Sequence, residues 1–331
     1  MLIQSLVSTY RPGVVAFIFA LCCATAATGG ANRHELATFS RTALDRRAPI
    51  TAERSYTLNA GVRLLLYWVR RENVGSARLT WRAGRGDHRV LEFLVGSDPE
   101  RAPRRINRWG FIAEEVGPHS ADLLGIMTQS DERSVDEADS KSAASSDRHV
   151  YRAIRTTVRE GSASSTVFRL LDERPLTYRD LDEVLQWMPT DMAAPREVSL
   201  PEGTRPGFLF SVEELITGTL DQCRAASRQL PAPLPFVYNN TFYTLKLRTC
   251  DFESHRKIGD HVFSGVISAE LETRNRSTGK ETPFRLVYGT EGDLKAVPLL
   301  IAFRPRWWFE AEAVLCDRAV SETRDGGSGR Y

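Results

Sequence analysis

The chain has 331 residues, with 44 Lys and Arg against 42 Asp and Glu, a formal net charge of +2. Hydrophobic residues make up 42% and charged residues 26%, values of a globular chain long enough to bury a core without a disulfide framework. So even a balance, with no long basic run, excludes a nucleic-acid partner drawn in by a global field.

The N-terminus carries an address. After Arg11, the run Val14 to Ala27 (VVAFIFALCCATAA) is apolar for about ten residues and ends in the small-x-small triplet Ala24-Thr25-Ala26. Residues 1–26 therefore read as a signal peptide, with the mature chain starting at Ala27. Gly29-Gly30 ends the run short of the roughly 20 residues a membrane span needs. Leu21 before Cys22, and Cys22 before Cys23, do not offer the small residue that lipid attachment wants. The expectation is an exported protein, periplasmic or associated with the cell envelope. Cleavage leaves Cys223, Cys250 and Cys316, which allow one bridge and leave one thiol over.

Residues 27–129 read as an N-terminal β region. Val62, Leu64, Leu66 and Trp68 alternate along a first strand, and a turn is expected at Glu72-Asn73-Val74-Gly75. Ala77, Leu79, Trp81 and Ala83 alternate with Arg78, Thr80 and Arg82, a half-buried strand with a wet arginine face. Gly84-Arg85-Gly86-Asp87 turns the chain into a strand carrying Leu91, Phe93 and Val95 on one side. Connections this short make an antiparallel meander. Further on, Asn107-Arg108-Trp109 is the candidate recognition segment, where Arg104, Arg105 and Arg108 could hold an anion while Trp109 and Phe111 stack or pack against an apolar chain. The alternative, which burial statistics favour, is that Trp109 and Phe111 plug the sheet and the arginines stay in water.

Residues 130–148 form an acidic, Ser-rich stretch without aromatics, read as a flexible loop. Its carboxylates lack the alternate spacing and the Gly of a calcium loop. Residues 149–235 read as a hairpin, Val150 to Val158 and Thr166 to Leu171 around Gly161-Ser162-Ala163-Ser164, followed by two helices. Thr177 with Asp180 caps the first, which Pro189 stops; Ser211 with Glu214 has capping-box spacing for the second, running to about Gln229. Val212, Leu215, Ile216, Leu220 and Cys223 give that second helix an apolar stripe suited to packing on a sheet.

Residues 236–317 are the clearest β region, with strands expected at Thr241–Cys250, His261–Thr273, Phe284–Tyr288, Val297–Phe303 and Trp307–Leu315. Residues 318–331 read as a disordered tail. Cys250 shares a strand face with Lys246 and Arg248, and Cys316 shares one with Glu310 and Glu312, so Cys250–Cys316 is the favoured of three pairings. Adjacent Trp307 and Trp308, flanked by Arg304 and Arg306, point to opposite faces if extended. One of them then meets a second layer, or stands exposed where it suits a membrane surface or an acyl ligand.

Motifs for catalysis are missing: there is no G-x-S-x-G, no H-E-x-x-H, no Walker loop, no G-x-G-x-x-G opening a helix and no Cys-x-x-Cys. His255 and His261 flank one loop with Asp251, Glu253 and Asp260, a set that suits either a metal or plain solvation. No metal and no cofactor is expected.

Two stretches carry a resemblance. Gly96-Ser97-Asp98-Pro99-Glu100 through Ile106-Asn107-Arg108-Trp109-Gly110-Phe111, closed by Glu114-Glu115, resembles a motif of uncharacterised exported bacterial proteins. Thr282-Pro283-Phe284-Arg285-Leu286 to Val297-Pro298-Leu299, then Phe303-Arg304-Pro305-Arg306-Trp307, is similar to a family of exported β proteins of unknown function. The resemblance covers about half the chain. It implies a bacterial envelope protein with a curved sheet like the half-barrel of lipoprotein carriers, and no chemistry.

The expected fold is mainly β with minor α, a curved antiparallel sheet or half-open β-barrel or β-roll packed by two helices. The expected function is non-enzymatic binding of a lipid or other hydrophobic small molecule, with peripheral membrane contact and ligand-binding candidates Arg105, Asn107, Arg108, Trp109, Trp307 and Trp308. A structural or protein-interaction module of the envelope is the alternative, and a hydrolase using His255 or His261 the third.

Overall fold

The computed structural model describes residues 48–64, 67–84, 86–128, 149–172, 174–185, 191–225, 230–306 and 309–316. The expected signal peptide, acidic loop and tail, and Trp307 and Trp308, lie outside them. In chain order the strands are β1 (Ile50–Leu64), β2 (Tyr67–Ala83), β3 (Arg89–Ser97), β4 (Trp109–Val116), β5 (Ala121–Thr128), β6 (His149–Arg159), β7 (Ser162–Asp172) and β8 (Asp191–Met192). They continue with β9 (Arg196–Ser199), β10 (Arg205–Pro206), β11 (Leu234–Tyr238), β12 (Thr241–Ile258), β13 (His261–Asn275), β14 (Glu281–Gly289), β15 (Pro298–Arg306) and β16 (Phe309–Leu315). Between β7 and β11 lie a single helical turn, α1 (Leu181–Val184), and one long helix, α2 (Leu209–Arg224).

All sixteen strands belong to one sheet, ordered β10-β11-β12-β13-β14-β15-β16-β1-β2-β3-β4-β5-β6-β7-β8, with β9 also on β7. Neighbours are antiparallel except for the short parallel pair of β10 with β11. The first and last described strands meet where β1 pairs with β16, Tyr56 opposite Leu315. β10 and β8 end the path without pairing to each other, so the sheet is not closed into a barrel.

Side chains nevertheless draw the two flanks together. Val237 of β11 packs with Ala121, Leu123, Val158 and Ala163 of β5 to β7. The Ser165 hydroxyl donates to Asn240 Oδ1 at 2.8 Å, and Asn240 Nδ2 donates to the carbonyl of Arg196. Asn239 and Asn240 both have positive φ, 48° and 52°, the geometry of a two-residue hairpin turn that matches strand twist.

Strand alternation sorts the core into two faces. Leu79, Leu91, Phe93, Ile112, Tyr243, Leu245, Ile267 and Leu271 gather on the concave face with Leu209, Phe210, Leu215, Ile216 and Leu220 of α2. Leu94, Trp109, Phe111, Leu124, Ile126, Phe168 and Leu170 face the other way and are covered by Leu176, Leu181, Val184, Leu185 and Met192. Among the described residues one long helix packs the sheet, where two were expected. In the first, Thr177 and Asp180 do form a capping box, but it opens a 3₁₀ turn and then α1.

Two expected turns move. The chain reverses after Leu64, since Leu64 pairs with Tyr67, and the Glu72–Gly75 stretch lies inside β2. There Asn73 adopts φ 55° in a bulge, and its N–H donates to Asn59 Oδ1 at 2.9 Å. A bulge and a turn share the same residue preferences, and so the sequence signal does not separate them. The β6–β7 turn is likewise shorter than expected: Arg159 already pairs with Ser162.

Candidate functional site

The concave face is the natural place to look for a ligand in a curved sheet. α2 lies across it, with Leu215, Ile216, Thr219, Leu220 and Cys223 buried and Glu214, Thr217, Asp221 and Gln222 exposed. The helix ends are pinned at opposite sides of the sheet. At the C-terminal end Cys223 is bonded to Cys250 of β12 with Cα atoms 5.7 Å apart. Arg224 reaches Glu291 and the Thr290 hydroxyl, its guanidinium over the Phe252 ring.

That disulfide corrects the expected Cys250–Cys316 bridge. Three strands, β13, β14 and β15, separate β12 from β16, a gap of roughly 19 Å at normal strand spacing. A disulfide tolerates Cα separations only up to about 7 Å. Cys316 remains free and half-buried, its thiol 2.9 Å from the Thr57 hydroxyl.

The N-terminal end is held by a residue the sequence reading passed over. Glu114 of β4 is fully buried, and the backbone N–H groups of Phe208, Leu209 and Phe210 donate to its carboxylate at 2.6, 2.9 and 3.0 Å. These are orphan donors of a helix start, here satisfied by a side chain 94 to 96 positions away in the chain. The Ser211 hydroxyl, expected to cap, instead donates to the Gly207 carbonyl from within the helix at 2.7 Å. Gly207 sits on the carboxylate at φ 82°, and a Cβ there would fall 2.4 Å from Glu114 Oε2. Burial pushes the Glu114 carboxyl up to about 7, with the three N–H donors pulling it down and the Glu213 charge pushing it further up. Chemically this is a carboxyl group poised between its two states near neutral pH. It lies against a helix start, and the hydrogen bonds it accepts come from three backbone amides.

The predicted recognition segment packs on the outer face of the sheet. Trp109 is 3% exposed, lies tilted against the Tyr151 ring with centroids 5.7 Å apart and donates its indole N–H to the Leu176 carbonyl at 3.0 Å. Asn107 donates to the same carbonyl at 2.9 Å. Together they pin residues 174–176 over the outer face of the sheet, which is the plugging alternative. Arg105 is exposed at φ 53°, and Arg108 is half-buried at the edge of β4, where its N–H and C=O both bond the Ser97 hydroxyl, at 2.8 and 3.2 Å. Beside them Asp98 is buried and bonded by Arg179 at 2.7 Å, with Arg101 at 3.7 Å.

His255 and His261 are exposed near the β12–β13 turn, opposite Ser264 and Ile258. Among the described residues no group of three or more His, Cys, Asp or Glu side chains is placed to hold a metal ion.

Large apolar side chains are exposed on two hairpins, at Phe252 and Val262 of β12–β13 near these histidines and at Tyr67 and Val69 of the β1–β2 hairpin. β16 pairs only with Tyr56 to Val62 of β1, and β3 only with Gly75 to Ala83 of β2, so the hairpin end projects past both neighbours. On it Tyr67 is 77% and Val69 55% exposed. On the opposite face Trp68 lies over Gly61 with the Arg304 guanidinium 5.0 Å from its ring centre. Arg70 and Arg304 reach Glu310 at 3.7 and 3.3 Å, while Arg71 is exposed. The start of β16 adjoins this hairpin through β1, Phe309 lying opposite Val62.

No protein-family profile and no curated protein matches the chain. Among solved structures it is similar to a β-barrel-like protein of domain of unknown function DUF1849 from Brucella abortus. That likeness has 9% identity and a TM-score of 0.35, over 81% of this chain and 98% of that one. A candidate lipoprotein from Parabacteroides distasonis is similar at 7% identity and a TM-score of 0.23, over 80% of this chain and 94% of that one. Scores at this level assign no family, and the chain's function is argued from its own residues.

Proposed function

We propose that this is an exported, non-enzymatic envelope protein that contacts lipid, and that it does so at the β1–β2 hairpin. The observation that carries this reading is the exposure of Tyr67 (77%) and Val69 (55%) on a projecting hairpin. Arg71, exposed and in phase with Tyr67 and Val69, supplies a cation beside the apolar tip, while Arg70 and Arg304 lie on the opposite face with Glu310. An apolar and aromatic tip with an arginine beside it suits the boundary between acyl chains and anionic headgroups. The signal-like N-terminus supports export. The concave face, where a half-barrel would hold a ligand, is instead occupied by the buried side chains of α2.

Co-sedimentation with phosphatidylglycerol-containing vesicles tests this, with phosphatidylcholine vesicles as the control. Burying each of the two side chains contributes about 1.5 kcal/mol, so Tyr67→Ser with Val69→Ser should weaken binding roughly a hundredfold. The wild type should prefer the anionic vesicles. A wild type that stays in the supernatant with both, or a double variant that binds as well as the wild type, overturns the proposal. Stoichiometric lipid extracted from detergent-free protein would favour an interior site instead.

A further inference from the structure

An open sheet leaves strand edges without a neighbour. β11 pairs with β12 only as far as Leu245, so among the described residues β12 has no strand beside it from Lys246 to Ile258. That edge carries Lys246, Arg248, Asp251, Glu253, Arg256 and Lys257 and is bulged between Leu247 and Thr249, features that keep an edge from pairing. The tip half of β2 is a second such edge. β3 begins to pair at Gly75, and the Asp98 N–H donates to the Val74 carbonyl at 2.8 Å, so Tyr67 to Asn73 lack a strand on that side. On the other side β1 holds them, from Leu64 opposite Tyr67 to Ala60 opposite Arg71.

We infer that this edge of β2 pairs with the same edge of a second copy of the chain, antiparallel and centred on Val69. Directly opposite residues of an antiparallel pair share a face, and a two-fold axis at Val69 fixes who meets whom. Val69 stands against Val69, Trp68 against Arg70 and Tyr67 against Arg71. Each aromatic ring then meets a guanidinium and no like charges are opposed. Trp68 already carries one such cation, the Arg304 guanidinium 5.0 Å from its ring centre. Moving the axis to Arg70 sets Arg70 against Arg70. Moving it to Trp68 shortens the ladder to Tyr67, Trp68 and Val69. The self-complementarity of the stretch therefore selects both the occupant and the register.

Backbone N–H and C=O groups carry this pairing, as they do whenever a strand is added to a sheet. Tyr67 and Val69 of both copies stay together on one face, so the pair offers lipid two adjoining tips, but the pairing itself needs no lipid. A ladder from Tyr67 to Arg71 is small beside a stable dimer interface. The pair is accordingly a weak one, favoured by high local concentration.

Cysteine cross-linking reads the register. In the chain from Ala27 with Cys316→Ser, the Cys223–Cys250 bridge leaves no other thiol. Opposite residues have Cα atoms about 4.5–5.5 Å apart, within disulfide reach, whereas Tyr67 and its copy would lie roughly 14 Å apart. Under mild oxidation without lipid, Val69→Cys should dimerise at least about tenfold faster than Tyr67→Cys or than Thr217→Cys, which is exposed on α2. An equal mixture of Tyr67→Cys and Arg71→Cys should give the mixed dimer in preference to either self-dimer. Equal rates at positions 67, 69 and 217 overturn the pairing, and a mixed dimer no more abundant than the self-dimers overturns the register. Vesicle co-sedimentation of the same variants, reduced, reports lipid contact separately, so either reading can fail without the other.

Discussion

Glu114 lies between Leu91 and Leu123 in a strand face that otherwise carries apolar residues, and burying a carboxylate there opposes folding unless its lone pairs are used. Three backbone amides use them. Replacing Glu114 by Ala leaves all three donors without an acceptor in a dry site, and should destabilise by about 3 kcal/mol or more. Glu114→Gln keeps one carbonyl oxygen and the shape, so it should cost less and should outperform the Ala variant at every pH. Above pH 7 the wild type carries the buried charge that Gln lacks. The wild type's folded pKa is raised, so its Glu114 contribution is full at low pH and falls by roughly 3 kcal/mol as pH passes through 7. Urea midpoints across pH 5 to 8 read this directly; a Gln variant with the wild-type slope would contradict it. The residue was partly legible in the sequence, since it falls in phase with Ile112 on the core side of β4, a charged residue where alternation asks for an apolar one. Its partner was not legible, because nothing local ties position 114 to a helix start at 208. Gly207 completes the contact: Ala there needs φ 82° and a Cβ 2.4 Å from a carboxylate oxygen, so Gly207→Ala should cost more than 2 kcal/mol.

At the level of elements, the strands were mostly readable and their connections were not. β12 to β16 each overlap a range expected from period-two alternation, because a half-buried strand writes its two faces into its sequence. The disulfide illustrates the limit. Cys250 and Cys316 have complementary charged neighbours, yet charge complementarity does not say that two strands adjoin, and the sheet order puts three strands between them. Cys223 was recognised on the apolar stripe of the helix, and that stripe is the face that lands on β12. Closing a loop of 27 residues restricts the unfolded chain by roughly 3 kcal/mol. Cys223→Ser with Cys250→Ser should lose about that much, whereas Cys316→Ser should lose well under half of it. A reversal of that order in denaturant unfolding would return the bridge to Cys316. Trp109 and Asn107 belong to the same level: their bonds to the Leu176 carbonyl clamp a covering segment to β4, so Trp109→Phe should loosen the 174–185 segment rather than abolish any binding.

Across the whole molecule, an open sheet of this length has flanks that must be satisfied without a closing ladder, and the contact between β11 and the β5–β7 region does this through side chains. At this seam Tyr238 lies against Gly125. A Cβ at position 125 would lie 2.2 Å from the tyrosine hydroxyl oxygen but 3.4 Å from the ring carbon that bears it. Only the hydroxyl is in the way. Tyr238 is 6% exposed, so its tip has little room to swing aside, and Gly125→Ala should destabilise by about 1–3 kcal/mol through overpacking. Tyr238→Phe removes the clashing oxygen and leaves an ordinary van der Waals distance to the new methyl group. The double variant should therefore be more stable than Gly125→Ala alone, a coupling energy opposite in sign to the sum of two independent losses. Chemical denaturation of the four proteins completes the cycle. Additive losses would mean that Gly125 is needed for the bend of β5 itself, and that the flanks are not held at this point. Rescue would show that the seam, formed by residues far apart in the chain, is where the open sheet is made to act as one body.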